Sequence, residues 1–373
     1  MGENSGSPIS PSIRKDEFVK TVDTRIVLLG TAGGAVTWGS AGTSTECRYG
    51  TSTALVVAGK IYIVDFGMGV ARQLTRANPL GRSEAKIFED LQALFITHMH
   101  SDHTLDLSNL LLCGYNQGWP SHRVEVHGPW DRVLSPHLYS DLPESDVWTP
   151  GAEKFVDNLL AAFEAETLDR VYGAKKRDPH DMLVGVNVQR PKIIGRDAHG
   201  DFNQPGNSDS QMNLGHLETP VDPFFVYEDD RVHVSATLTV HGSMYPAFAY
   251  RFDTDAGSVV FSGDTGPSEN VIRLATNADV LVHEVIDPNY ARWQFGNPPY
   301  TPKQQQALDV VFQKHCSVEV VGAIAQRCSV RTLVLNHFAP GNLPQGSWAS
   351  KVTGFDGHVV EGRDLDTVYL ANA

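Results

Sequence analysis

Residues 98–103 of this 373-residue chain contain His98, His100, Asp102 and His103. Imidazole and carboxylate groups are the usual ligands of zinc and similar divalent cations. The apolar run 93–96 leads into this cluster, and Leu105, Leu107, Leu110 and Leu111 follow it. The cluster therefore reads as a turn between a buried strand and a helix. Residues alternate in direction along a strand, which puts His98 and His100 on one side. Asp102 and His103 fall where the chain reverses, so the spacing offers two ligands to one ion and two to a neighbour. A polar turn that gathers three of the chain's 15 histidines by chance is the weaker account.

A two-ion site needs further ligands, one of them able to bridge. Three candidates stand at the ends of apolar runs. His241 follows 232–240, Asp264 follows Val259-Val-Phe-Ser-Gly263, and His337 follows Thr332-Leu-Val-Leu-Asn336. A polar residue that closes a buried strand emerges at a sheet edge, where a site on a packed α/β fold is accessible.

The elements needed to position these groups are also visible. Strands are expected at 25–30, 51–57, 60–65, 93–96, 124–127, 231–240, 247–253, 259–261, 280–283 and 332–336, with short pieces near Val359 and Val368. Helical patterns occupy 152–168, 270–276, 302–315 and 318–326, and another follows Gly69. The Gly-, Ser- and Thr-rich stretch 31–50 reads as a loop. Residues 130–230 change character and read as a helical and loop insertion, with a long polar loop at 197–219. Residues 1–20 read as a disordered tail ahead of one domain spanning 21–373.

Composition excludes several classes. The 20% charged content, 33 Gly and 21 Pro do not suit a coiled coil, a collagen or a disordered acidic protein. No apolar run reaches the ~18–20 residues of a membrane helix, and the N-terminus carries no apolar signal core, so a cytoplasmic protein is expected. The four cysteines have no Cys-x-x-Cys spacing, which suggests buried reduced thiols. The formal net charge of −14 would repel a polyanion unless a local basic patch intervened. A homodimer is expected on frequency alone.

The motifs Gly30-Thr-Ala-Gly-Gly34, Val64-Asp-Phe-Gly67, Thr97-His-Met-His-Ser-Asp-His103, His241-Gly242, Phe261-Ser-Gly-Asp-Thr265, Val282-His-Glu-Val285 and Asn336-His337 occur in that order. Together they resemble the metallo-β-lactamase superfamily, in its ribonuclease Z and arylsulfatase-like branch. The resemblance implies an αββα sandwich with two divalent metal ions at one edge. Zinc is the expected metal, with manganese or iron also compatible in ligand type. It implies that His98, His100 and His241 hold the first ion and Asp102, His103 and His337 the second, with Asp264 bridging. Asp65 would support the metal loop through hydrogen bonds. Asp102 would also relay a proton, and His283, oriented by Glu284, would act as general acid.

The expected function is a zinc-dependent hydrolase whose metal-bridging hydroxide cleaves an ester-type bond. A small organic substrate is favoured over nucleic acid, for two reasons beyond charge. The tRNA-clasping arm of ribonuclease Z lies between the third metal histidine and the bridging aspartate, where residues 242–263 leave room for two strands and no arm. The insertion also carries Trp148, Phe155, Leu159, Phe163 and Tyr172, which could roof an apolar pocket. The alternatives are a ribonuclease Z-like phosphodiesterase and a non-hydrolytic, redox or binding, member of the fold.

Overall fold

The computed structural model describes residues 24–39, 47–134, 147–191, 218 and 220–370. The tail expected over 1–20 lies outside them, as does all but Glu218 of the loop expected at 197–219.

The chain begins with β1 (Arg25–Gly30), β2 (Ser52–Val57) and β3 (Lys60–Val64), paired antiparallel. Next come α1 (Val70–Ala77), β4 (Leu91–Phe95), the single turn α2 (Ser101–Thr104), α3 (Leu107–Gln117) and β5 (Val124–Gly128). A small hairpin, β6 (Arg132–Leu134) and β7 (Val147–Thr149), precedes α4 (Ala152–Ala162), α5 (Glu164–Leu168) and β8 (Leu183–Asn187). A meander follows: β9 (Phe224–Glu228), β10 (Val232–Leu238), β11 (Phe248–Thr254) and β12 (Gly257–Phe261). The remainder is α6 (Glu269–Ala275), β13 (Val280–Ile286), α7 (Tyr290–Phe295), α8 (Pro302–Lys314), α9 (Val318–Cys328), β14 (Thr332–Ala339), β15 (His358–Glu361) and β16 (Thr367–Tyr369).

Among the described residues these strands form two seven-stranded sheets, ordered β16-β1-β2-β3-β4-β5-β8 and β15-β14-β13-β12-β11-β10-β9. In each, the strands that are crossed by helices run parallel: β3, β4, β5 and β8 in one, β12 to β15 in the other. Both faces of such a sheet are covered, so its strands are apolar throughout rather than alternating.

The pleat divides that apolar surface into layers. Val27, Leu29, Val56 and Ile63 face helices α1, α3 and α4, packing on Leu74, Leu110, Leu111, Val156 and Leu160. Their neighbours Ile26, Leu28, Leu55 and Tyr62 turn the other way and meet Phe252, Val282 and Val334 of the second sheet. On its far side the second sheet presents Leu281, Leu333 and Leu335 to Val271, Leu274, Val321 and Ile324 of α6 and α9. The order helix, sheet, sheet, helix is the expected αββα sandwich. Fully burying each such aliphatic side chain contributes roughly 1.5–3 kcal/mol, so the three apolar layers hold the sheets face to face.

Residues 130–230 are not simply an addition to this frame, because β8 and β9 each supply an edge strand of a main sheet. Two features hide them in the sequence. Gly185 interrupts β8, and β9 is only partly buried, so neither shows a clean apolar pattern. No helix among the described residues is long and apolar enough to cross a membrane.

Candidate metal centre

The parallel strands deliver their C-terminal ends to one edge of the sandwich. β4 leads into Thr97 and His98, β12 into Gly263 and Asp264, and β14 carries His337. The β10–β11 connection brings His241 to the same edge. Two bonds lock the sheets together there: Phe248 N donates to Thr97 O (2.9 Å), and Tyr250 Oη donates to Ile96 O (2.9 Å).

Side chains far apart in sequence converge into three groups of possible cation ligands; Glu284, His315 and His337 are one, and the other two share Asp264. Of those two sets, one is His98, His100, His241 and Asp264; the other is Asp102, His103, Asp264 and His337. Within each set the ligand atoms all lie within 4.8 Å of one another. Asp264 belongs to both through different oxygens. Its Oδ2 is 3.6 Å from His241 Nε2 and 3.8 Å from His98 Nε2, while its Oδ1 is 3.1 Å from His337 Nε2 and 3.4 Å from His103 Nε2.

The hydrogen bonds around the sets decide which nitrogens point inward. Asp65 sits at the end of β3 in a left-handed conformation (φ 64°). Its carboxylate accepts from Thr97 N (2.8 Å) and from the Thr97 hydroxyl (2.9 Å). It also accepts from His103 Nδ1 (2.8 Å). The Thr97 hydroxyl has spent its proton on Asp65, so towards His98 Nδ1 (3.1 Å) its oxygen accepts. His241 Nδ1 donates to Lys314 O (3.1 Å). Three imidazoles thus commit Nδ1–H outward and turn a bare Nε2 inward.

These lone pairs have too few protons to share. His98 Nε2 and His241 Nε2 both bear on His100 Nδ1, at 2.9 and 3.0 Å, and that atom has at most one proton. Asp264 Oδ1 is buried and accepts no hydrogen bond. Converging, buried lone pairs without donors are costly unless a cation lies among them. The donor set, nitrogen and oxygen only, suits divalent zinc, manganese or iron. The electrostatics agree. Burial pushes His98 well below the ordinary imidazole value and His241 down to about 3, so both are neutral. Burial would also lower His103, but Asp264, Asp65 and Asp102 outweigh it and raise that ring well above its usual value. The carboxylates demand positive charge at this point.

A cavity of about 250 Å³ opens over the two sets. Its lining includes Gly34, Asp102, Asp264, Tyr290, His315 and His337. His315 was not singled out in the sequence. It ends α8, and its Nδ1 donates to Glu284 Oε1 at 3.2 Å. The same oxygen accepts from Thr265 N and Cys316 N, both at 3.1 Å. Burial would lower His315, but the charge and hydrogen bond of Glu284, with Asp264 and Asp102, carry it up to about 9. The available signal was its position directly after α8 and before the Ser317 cap of α9, where no strand pattern points to it.

His283 behaves differently from the expectation of a general acid. On β13, Val280 and Val282 face the other sheet while Leu281 and Val285 face the helices. Alternation places His283 in register with Leu281, on the helix side. It is 1% exposed, its Nδ1 donates to Glu284 O (2.7 Å), and it lines a smaller pocket with His103, Asp264 and His337 rather than the open cavity. Glu284, one residue on, orients His315 rather than His283. The aromatic roof also differs from expectation. Phe155 and Leu159 pack on the α1–α3–α4 core, Trp148 and Tyr172 are exposed, and none of them lines the cavity.

Residues 45–311 match the sequence family described as Metallo-beta-lactamase superfamily. The chain belongs to that superfamily, and it is a metal-dependent hydrolase. Among curated proteins it is similar to ribonuclease Z of Mycobacterium avium (strain 104), 28% identical over 326 residues covering 87% of this chain and 92% of the relative. Among solved structures, human tRNase Z, short form, aligns with a TM-score of 0.50 at 16% identity, covering 93% of this chain and 99% of that one. The long-form RNase Z from yeast aligns at 0.53 and 17% identity, over 94% of this chain and 42% of that one.

These findings overturn the expectation that a small organic molecule is favoured over nucleic acid as substrate. Relatives that match nearly the whole chain carry the name of a ribonuclease. Net charge misled because it sums the entire surface and omits bound cations, whereas a phosphodiester meets only the local field at the mouth.

Proposed function

We propose that this superfamily member is a ribonuclease Z-like phosphodiesterase that acts on RNA with a pair of zinc ions. The observation that carries the reading is the carboxylate of Asp264, shared by two facing ligand sets beneath a cavity that His315 borders. The substrate class rests on the relatives. His98, His100 and His241 would hold one ion, Asp102, His103 and His337 the other, and Asp264 both.

Bound divalent cations supply an acidified water as nucleophile and offset charge that builds on the phosphoryl oxygens. The chain's own groups do the rest. Asp65 and Lys314 O hold His103 and His241 in the tautomers that leave Nε2 bare. Gly33 keeps the space beside His337 open, since a Cβ there would lie 2.4 Å from His337 Nδ1. His315, aimed by Glu284, donates a proton to the leaving ribose oxygen as the phosphorus–oxygen bond breaks.

The direct test is incubation of metal-loaded protein with a tRNA precursor. Site-specific cleavage, abolished by chelator and restored by zinc, is the expected result. RNA left intact under conditions where the protein holds zinc would end the substrate assignment. A companion measurement concerns Asp65. The Asp65→Asn protein should fold but bind zinc about 10–100-fold more weakly, because His103 loses its anionic anchor. Unchanged affinity in a zinc titration would remove that supporting role.

A further inference from the structure

The open cavity has an aromatic border that the hydrolytic chemistry does not use. Tyr290 lines the cavity and begins α7. One helical turn on, Trp293 is 42% exposed. The two ring centroids are 5.3 Å apart, and Trp293 also meets Trp38 at 4.5 Å. Trp38 is buried and immobilised: its indole N–H donates to Gly33 O at 2.7 Å, and its ring lies where Gly341 has no side chain. A Cβ on Gly341 would sit 2.6 Å from the Trp38 ring. Trp293 is thus a large apolar surface left in water, braced from beneath by a fixed indole and continuous with the catalytic cavity through Tyr290. The brace also reaches the metal centre, because Gly33 N donates to Phe338 O, next to His337.

We propose that Tyr290 and Trp293 form a stacking subsite for an unpaired nucleobase of the RNA, beside the phosphate that is cleaved. This rests on the phosphodiesterase reading above. The occupant follows from chemistry. Flat aromatic faces accept any base, and such stacking does not depend on the protein's charge. Tyr290 lines the cavity over the ligand sets, so a base stacked on this border would flank the phosphate presented there.

The test compares the wild type, Trp293→Ala and Trp293→Phe, all zinc-loaded, with two readouts. The first is kcat/KM on the cleavable RNA and on copies with a single abasic nucleotide walked across the positions flanking the cleavage site. Trp293→Ala should lose about 10-fold on intact RNA, Trp293→Phe should retain most activity, and at one abasic position the alanine variant and wild type should become equal. The second is tryptophan fluorescence quenching by a short oligoribonucleotide, which should weaken in Trp293→Ala. Cleavage that is indifferent to Trp293, or an equal loss at every abasic position, would overturn the subsite and leave the phosphodiesterase intact. Quenching that depends on Trp293 without any RNA cleavage would do the reverse. No quenching by the oligonucleotide in the wild type would also overturn the subsite.

Discussion

Asp264→Ala should strip zinc from both positions and take RNA cleavage below detection, while the protein stays folded. Among the described residues, Asp264 is the one carboxylate that contributes to both ligand sets, through Oδ2 on one side and Oδ1 on the other. Burial would raise its pKa, but His337 and His103 hold it well below the ordinary carboxylate range, so it supplies a full negative charge. Removing that charge leaves the first set with imidazoles alone and the second with one carboxylate. Each cation then meets less charge and fewer donors, and the two cations lose the anion that screens their mutual repulsion. Metal analysis after dialysis, alongside circular dichroism, reads the result. A variant that keeps about two equivalents of zinc would show that Asp264 does not bridge.

His315→Ala should retain zinc and lose about 10²–10⁴-fold in kcat on RNA. The loss should be far smaller on a nitrophenyl phosphodiester, whose leaving group departs without a proton. His283→Ala is the internal control, because His283 is buried, bonds Glu284 O through Nδ1 and does not line the cavity that His315 borders. Equal losses for the two substrates in His315→Ala would assign the residue to positioning rather than proton transfer. A larger leaving-group effect in His283→Ala than in His315→Ala would restore the expectation drawn from sequence.

The contrast between these two histidines marks where sequence reading ended. Val282-His-Glu-Val285 contains both a histidine and a carboxylate, and proximity in sequence paired them. In a strand, adjacent residues point to opposite faces, so Glu284 and His283 could not easily share one task. Glu284 instead meets His315, which arrives at the end of a different helix. The substrate judgement failed for a related reason. Apolar residues between 130 and 230 looked available for a pocket, but Phe155 and Leu159 pack over the first sheet.

The residue order alone determined an α/β chain with polar groups at the ends of apolar strands, and the order of its motifs, through their resemblance to the superfamily, implied the αββα layering. A polar group that closes a buried apolar strand emerges at the rim of a sheet. His98, His100, Asp102, His103, His241, Asp264 and His337 are legible on that ground. Only the tertiary structure decided which ring nitrogen each histidine turns inward, which histidine borders the cavity, and which aromatic rings stand beside it. Those outcomes depend on hydrogen-bond partners such as Asp65 and Lys314 O and on helix ends such as His315, all distant in the chain, and local periodicity carries no information about them.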